Sequence, residues 1–238
     1  MDVNPHNKFL TANAIAHRGL HDRALARPEN SQAAFAAAVR RGYAIELDVR
    51  LSSDGEPVVF HDADLSRMTG TAGTVAQTPA AELTRLSLLG STEKIPLFGD
   101  VLGAVDGAVP IAIEVKSEGE PDALTRSVCD TLSRYDGRFA LMSFDPVVLD
   151  TVEECAPNVP RGLLFSLRPG IDWPAEIMDR VGSLHFVGCD VRGLPYDPVP
   201  ALQGKIPVLG WTVTSPEVEK LARRWCDNFI FEGYDPAP

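Results

Sequence analysis

Glu46 and Asp48 stand two residues apart in an otherwise apolar run that extends from Tyr43 to Arg50. Side chains alternate along a strand, so this spacing puts both carboxylates on one face and Ile45, Leu47 and Val49 on the other. An inward-facing acid pair is costly unless positive charge meets it. Glu114-Val115-Lys116 repeats the spacing on a second apolar run, and His17-Arg18-Gly19 and His61-Asp62 each end another. Three acids, one lysine and two histidines at the ends of apolar runs point to a metal-assisted active site. Three carboxylates favour one hard divalent cation, Mg²⁺ or Ca²⁺, over Zn²⁺, which prefers His and Cys. A Lys–carboxylate network kept for stability alone would leave three acids under-compensated by a single lysine in a dry interior.

Two histidines flanking such a cation make an acid–base pair, one taking a proton and the other delivering one to a leaving oxygen. The cation would polarise a phosphoryl oxygen. Arg18 offers a planar fork suited to a phosphate, and Lys116 adds a point charge. His6 and His185 read as ordinary packed or surface histidines, and His21 leans the same way. His17 and His61 differ because both stand beside the acids at strand ends.

The elements that must position these groups alternate along the chain. Strand-like runs fall near 13–17, 43–49, 111–116, 139–143, 162–166, 184–189, 207–212 and 228–231. Helical patterns cover Ser31–Arg41, Phe98–Val105, Asp122–Tyr135, Pro146–Cys155, Trp173–Val181 and Pro216–Trp225, with a poorly patterned stretch near 194–204. Asn30 or Ser31 serves as an N-cap for the helix that Gly42 closes, and Asp145-Pro146 and Ser215-Pro216 mark strand-to-helix turns. Eight such units in 238 residues predict an α/β fold, a single-domain (β/α)₈ TIM barrel whose strand ends converge on one mouth. The rival, an open doubly wound sheet, lacks a Gly-x-Gly-x-x-Gly after the first strand. Residues 63–96, rich in Thr, Ser, Gly and Ala with a helical piece at Pro79–Leu86, read as a small insertion after the second strand that roofs the mouth.

Lysine and arginine number 22 against 33 aspartates and glutamates, a net charge of −11. That balance argues against nucleic-acid binding and adhesion to anionic membranes, and leaves open a small anionic substrate. The cysteines at 129, 155, 189 and 226 form no Cys-x-x-Cys, and four scattered thiols fit a reducing compartment. With no apolar leader and no run long enough to span a bilayer, the chain reads as cytoplasmic, without membrane insertion. The outer helices of a barrel offer a homodimer surface, though no stripe stands out to name.

The segments Ala16-His17-Arg18-Gly19, Pro28-Glu29-Asn30-Ser31, Glu46-Leu47-Asp48-Val49, Val58-Val59-Phe60-His61-Asp62 and Glu114-Val115-Lys116 resemble the glycerophosphodiester phosphodiesterase family in order and spacing. Leu65-Ser66-Arg67-Met68-Thr69-Gly70, Gly210-Trp211-Thr212-Val213 and the run from Asp227 to Gly233 extend the match over nearly the whole chain. The resemblance implies a (β/α)₈ barrel with a small insertion after strand two. It implies a divalent ion held by Glu46, Asp48 and Glu114, with His17 and His61 as acid and base. Arg18 and Lys116 would hold the phosphate, Trp211 would stand near the glycerol or the outer pocket, and Glu29 would orient the site from behind. The implied reaction converts a glycerophosphodiester to sn-glycerol 3-phosphate and an alcohol, with the glycerol 2-hydroxyl attacking first to give a cyclic phosphate that water opens.

Many members place Thr-Asp and then Pro after the last strand, where this chain has Phe231-Glu232-Gly233-Tyr234-Asp235-Pro236. On that departure, substrate preference is open while the chemistry is not. The nearest alternative is a related phosphodiesterase acting on a lysophospholipid, a sphingolipid or an opine-like sugar phosphodiester. Enolisation on a barrel would use lysine and acidic ligands, but the paired histidines count against it. A phosphate-binding protein without turnover would have no need of all six reactive groups.

Overall fold

Alternation within the apolar runs decides what the barrel encloses and what it turns outward. The structure is a computed structural model that describes residues 8–116, 118–166 and 173–236; His6 lies outside them. The strands are β1 (Ile15–Ala16), β2 (Ala44–Leu51), β3 (Pro57–Val59), β4 (Ile111–Val115), β5 (Phe139–Ser143), β6 (Arg161–Phe165), β7 (Phe186–Asp190), β8 (Val208–Val213) and β9 (Asn228–Phe231). Eight of them are parallel in the order β1-β9-β8-β7-β6-β5-β4-β2, and β1 pairs with β2 to close the ring. β3 folds back antiparallel on β2, Val49 opposite Val59. The fold is a (β/α)₈ barrel.

Around it lie α1 (Lys8–Ala12), α2 (Gln32–Arg41), α3 (Ser66–Thr69), α4 (Ala80–Leu83), α5 (Phe98–Val105), α6 (Pro121–Leu132), α7 (Pro146–Cys155), α8 (Trp173–Arg180), α9 (Val199–Leu202) and α10 (Pro216–Trp225). Their ends follow local chemistry. Ser31, Asp145 and Ser215 each accept a hydrogen bond from the first turn of α2, α7 and α10, and Pro146 and Pro216 sit where no intrahelical donor is needed. Gly42 ends α2 in the left-handed conformation at φ 71°. Where the sequence pattern is poor, at 194–204, only the four-residue α9 forms.

Outward-facing Ile45, Leu47 and Val49 pack against Phe35, Phe98 and Val101 of the surrounding helices. The inward set, including Ile15, Ala44, Ala112, Ala140, Leu164, Phe186, Leu209 and Ile230, fills the barrel, and Phe9 and Leu10 of α1 join it. Each large side chain buried this way is worth roughly 1.5–3 kcal/mol of transfer free energy. α1 is not evident in the sequence pattern. It is secured by Asn228, whose side-chain amide donates to the Leu10 and Asn13 carbonyls at 2.6 and 2.8 Å. A third apolar cluster, with Val58, Phe60, Leu65, Met68, Leu83 and Ile95, anchors the segment after β3. Among the described residues no helix is long and apolar enough to cross a membrane.

Candidate active site

The inward file of β2 begins with Ala44 and continues to Glu46, Asp48 and Arg50, so the strand that packs the barrel at one end carries charge at the other. β4 lies in register beside it, with Asp48 level with Glu114. One carboxylate oxygen from each of Glu46, Asp48 and Glu114 lies within 4.8 Å of the others. Lys116 Nζ stands 2.8 Å from Asp48 Oδ1 and 2.5 Å from Glu114 Oε1. Arg18 Nε lies 3.3 Å from Asp48 Oδ2, and the Arg18 backbone N–H donates to Glu46 Oε2 at 2.8 Å.

These charges do not balance evenly. Burial, then the neighbouring charges of Asp48 and Glu114, push Glu46 well above the usual glutamate range. Burial also raises Glu114, against the pull of Lys116. For Asp48, burial opposes the charge, yet Lys116, Arg18 and His61 together hold it low. Three oxygen donors, buried and crowding one another, are a set that a hard divalent cation fits.

Both histidines are gripped from the same side. His17 Nδ1 lies 2.7 Å from Glu232 Oε2, and His61 Nδ1 lies 2.7 Å from Asp62 Oδ1. Hydrogen bonds from His17 and then His21 hold Glu232 well below the usual glutamate range. Burial opposes the charge of Asp62, but Arg67 and His61 keep it low as well. An ionised carboxylate only accepts, so each Nδ1 carries a proton and donates it, which leaves Nε2 outside that contact. His17 Nε2 faces the acids, 3.9 Å from Glu46 Oε2. Burial lowers the basicity of His17 despite Glu232, and that of His61 despite Asp48.

Behind Arg18 runs a chain of ion pairs. Arg18 Nη1 donates to Glu29 Oε1 at 2.7 Å, and Arg67 of α3 donates to both Glu29 oxygens at 2.7 and 3.0 Å and also to Asp62. Glu29 therefore touches Arg18 and Arg67 and none of the three acids. The local backbone is tightly wound. Arg18 and Asn30 adopt φ values of 52° and 54°, sparsely populated for residues with a Cβ. Gly19, at φ 77°, admits no Cβ, which would meet Ala34 and Phe35 at 2.9 Å. Because Ser31 caps α2, Asn30 is free to turn inward, and its Nδ2 donates to Asp48 Oδ2 at 2.9 Å.

His17, Arg18, Glu46, His61, Glu114, Lys116 and Trp211 line one cavity of about 320 Å³ at the C-terminal ends of the strands. Asp48 sits fully buried beneath it. The opposite wall is apolar: Met142, Leu164 and the edge-to-face pair of Phe144 and Trp211, with ring centroids 5.3 Å apart. Trp211 Nε1 is buried without a hydrogen-bond partner among the described residues. His185 lies elsewhere, accepting from the Arg161 N–H.

The structure adds residues the sequence analysis left out. Glu232, on the atypical chain segment after β9, accepts from His17 Nδ1, so that departure touches a histidine of the cavity although none of residues 231–236 lines it. His21 belongs to the same corner, 3.5 Å from Glu232. Arg50 donates to the His61 carbonyl at 2.7 Å and to Glu118 at 3.1 Å. Its place was readable, because it is the next inward position after Asp48. Asp62 and Arg67 stood within recognised segments, but their pairing across the fold had no sequence signal.

The chain is similar to known proteins over most of its length. A model of the glycerophosphoryl diester phosphodiesterase family matches residues 17–231, the span that holds every group described above except Glu232. A glycerophosphodiester phosphodiesterase of Caldanaerobacter subterraneus is 28% identical over an alignment covering 91% of this chain and 92% of the relative. A phosphodiesterase of Oleispira antarctica, solved with its product sn-glycerol-3-phosphate, superposes with a TM-score of 0.81 at 26% identity, covering 92% of each chain. The Thermotoga maritima glycerophosphodiester phosphodiesterase gives 0.76 at 26% identity, covering 92% of this chain and 93% of that one. With the match running from the first histidine to the last strand, the chain belongs to the glycerophosphoryl diester phosphodiesterase family.

Proposed function

We propose that this enzyme hydrolyses a glycerophosphodiester to sn-glycerol 3-phosphate and an alcohol, with His17 and His61 as its acid–base pair. The observation that carries the reading is the matched pair of histidines, each held at Nδ1 by an ionised carboxylate and each lining the cavity that Glu46 and Glu114 also line. The product bound to the Oleispira antarctica relative supports the substrate class.

Glu46, Asp48 and Glu114 would hold one divalent cation, Mg²⁺ or Ca²⁺. When bound, it would supply Lewis-acid polarisation of the phosphoryl group and offset the repulsion among the three acids. Arg18 and Lys116 present their charges to the phosphate oxygens. Glu29, pinned by Arg67, keeps the Arg18 guanidinium in place. The glycerol 2-hydroxyl attacks phosphorus, one imidazole Nε2 takes its proton, and the other gives a proton to the departing alkoxide. Water then opens the cyclic phosphate with the two roles exchanged, so each histidine returns to its starting state. An attacking group already tethered to the phosphate gains from proximity. Trp211 and Phe144 form the wall against the glycerol or the alcohol. Residues 63–96 would belong to the same domain; none of them lines the cavity, and they reach the site only through Arg67, which bonds to Asp62 and Glu29.

The test is release of glycerol 3-phosphate from metal-stripped protein given glycerophosphocholine, glycerophosphoethanolamine or glycerophosphoglycerol, with Mg²⁺ or Ca²⁺ restored. Metal-dependent release is expected, and its rank order identifies the alcohol. No release from protein that still binds the metal would overturn the reading.

A further inference from the structure

The four cysteines are far apart in sequence, yet the fold gathers them into two pairs. The sulfurs of Cys129 and Cys155 are 2.8 Å apart, and those of Cys189 and Cys226 are 3.7 Å apart. The first pair joins α6 to α7, and two polar contacts hold those helices in register. Thr151 Oγ1 donates to Asp122 Oδ1 at 3.1 Å, and Arg126 Nη2 donates to Glu154 Oε2 at 2.9 Å. Asp122, Arg126 and Cys129 follow one another at helical spacing on one face of α6, as Thr151, Glu154 and Cys155 do on α7. The cysteines are the third rung of this ladder. The exposed ion pair adds little energy, but the three contacts in sequence order fix which residues meet.

The two pairs differ in access. Cys155 is exposed and Cys129 half-buried, whereas Cys189 is buried on β7 and Cys226 half-buried after α10. Two sulfurs 2.8 Å apart need to approach by less than about 1 Å to reach bonding distance.

We propose that Cys129 and Cys155 form a site of reversible oxidation, closing to a disulfide between α6 and α7 when a low-molecular-weight disulfide supplies the oxidant. The exposed Cys155 thiolate attacks the external disulfide, forming a mixed disulfide and releasing one thiolate. The Cys129 thiolate then attacks the Cys155 sulfur, forming the protein disulfide and releasing the second thiolate. The two protons lost by the cysteines end on the two small thiols, and the external disulfide is reduced by two electrons. Both cysteines lie toward the C-terminal ends of their helices, which in a (β/α)₈ barrel is the face opposite the catalytic mouth. The bond therefore stiffens the barrel wall and leaves the site untouched.

The experiment treats the native protein with oxidised glutathione, quenches with acid and titrates free thiols in denaturant, so that the buried Cys189 is counted. The count should fall from four to two, and peptide mapping should join Cys129 to Cys155. The melting temperature should rise by roughly 5–10 °C, since the bond closes a long loop, and dithiothreitol should reverse both changes. Cys155→Ser should keep all three of its thiols under the same treatment. The proposal is overturned if four thiols persist, if glutathione remains on Cys155 with no internal bond, if the bond joins Cys189 to Cys226, or if Cys155→Ser still loses two thiols.

Discussion

His17 and His61 follow different strands but share one device, a carboxylate on Nδ1 that leaves Nε2 available for the proposed proton exchange. For His61 that carboxylate is the next residue in the chain; for His17 it is Glu232, 215 residues away. Glu232→Gln keeps the size of the side chain and removes its charge. Under the proposed mechanism kcat should fall about 10²–10⁴-fold, the contribution of a general acid–base histidine, with little change in KM. Steady-state kinetics on the best glycerophosphodiester would check this, and an unaltered kcat would show that His17 needs no anchor. The contrast between the histidines also shows what a sequence can disclose. Glu46, Asp48, Glu114 and Lys116 were legible as one cluster because period-two alternation makes neighbours of alternate residues. The Glu232–His17 contact depends on barrel closure, and no local pattern encodes it.

At the scale of elements, α3 matters beyond its four residues because Arg67 ties Asp62 to Glu29, and through them His61 to Arg18. For Glu29, burial opposes the charge, yet Arg67 and Arg18 hold its carboxyl below the usual range, and Asp62 is also low. A depressed carboxyl adds stability that is fully present above its unfolded value of about 4 and is lost as pH falls through its folded value. Arg67→Met should therefore cost about 1 kcal/mol at pH 7, and the gap from wild type should close between about pH 5 and pH 2. Urea unfolding across that range would measure it, and a gap that stays constant with pH would refute the assignment. Most elements were legible for simple reasons: Ser31, Asp145 and Ser215 announce helix starts, and apolar runs announce strands. α1 was not, because five residues are too few to show a period and their stability comes from Phe9 and Leu10 packing into the barrel.

Across the whole molecule, the interior alternates bulk and space. Ala44, Ala112 and Ala140 face the volume that Phe186, Leu164 and Leu209 fill. Gly162 lies so close to the Phe186 ring that a Cβ would meet it at 2.4 Å. Phe186→Ala should cost about 3–5 kcal/mol, read from the shift in urea midpoint. A loss below about 1 kcal/mol would mean that the interior collapses around the gap. The same ring of strands has a second property. The groups proposed for proton transfer and metal binding come from one continuous arc, with Glu232 just past β9, His17 just past β1, Glu46 and Asp48 on β2, and Glu114 on β4, while His61 follows β3, which folds back on β2 of the same arc. The apolar wall comes from the other arc, with Met142 on β5, Leu164 on β6 and Trp211 on β8. Reactivity and fit are thus inherited from separate halves of one circle, and drift in the second half can change which alcohol is accommodated without rebuilding the first.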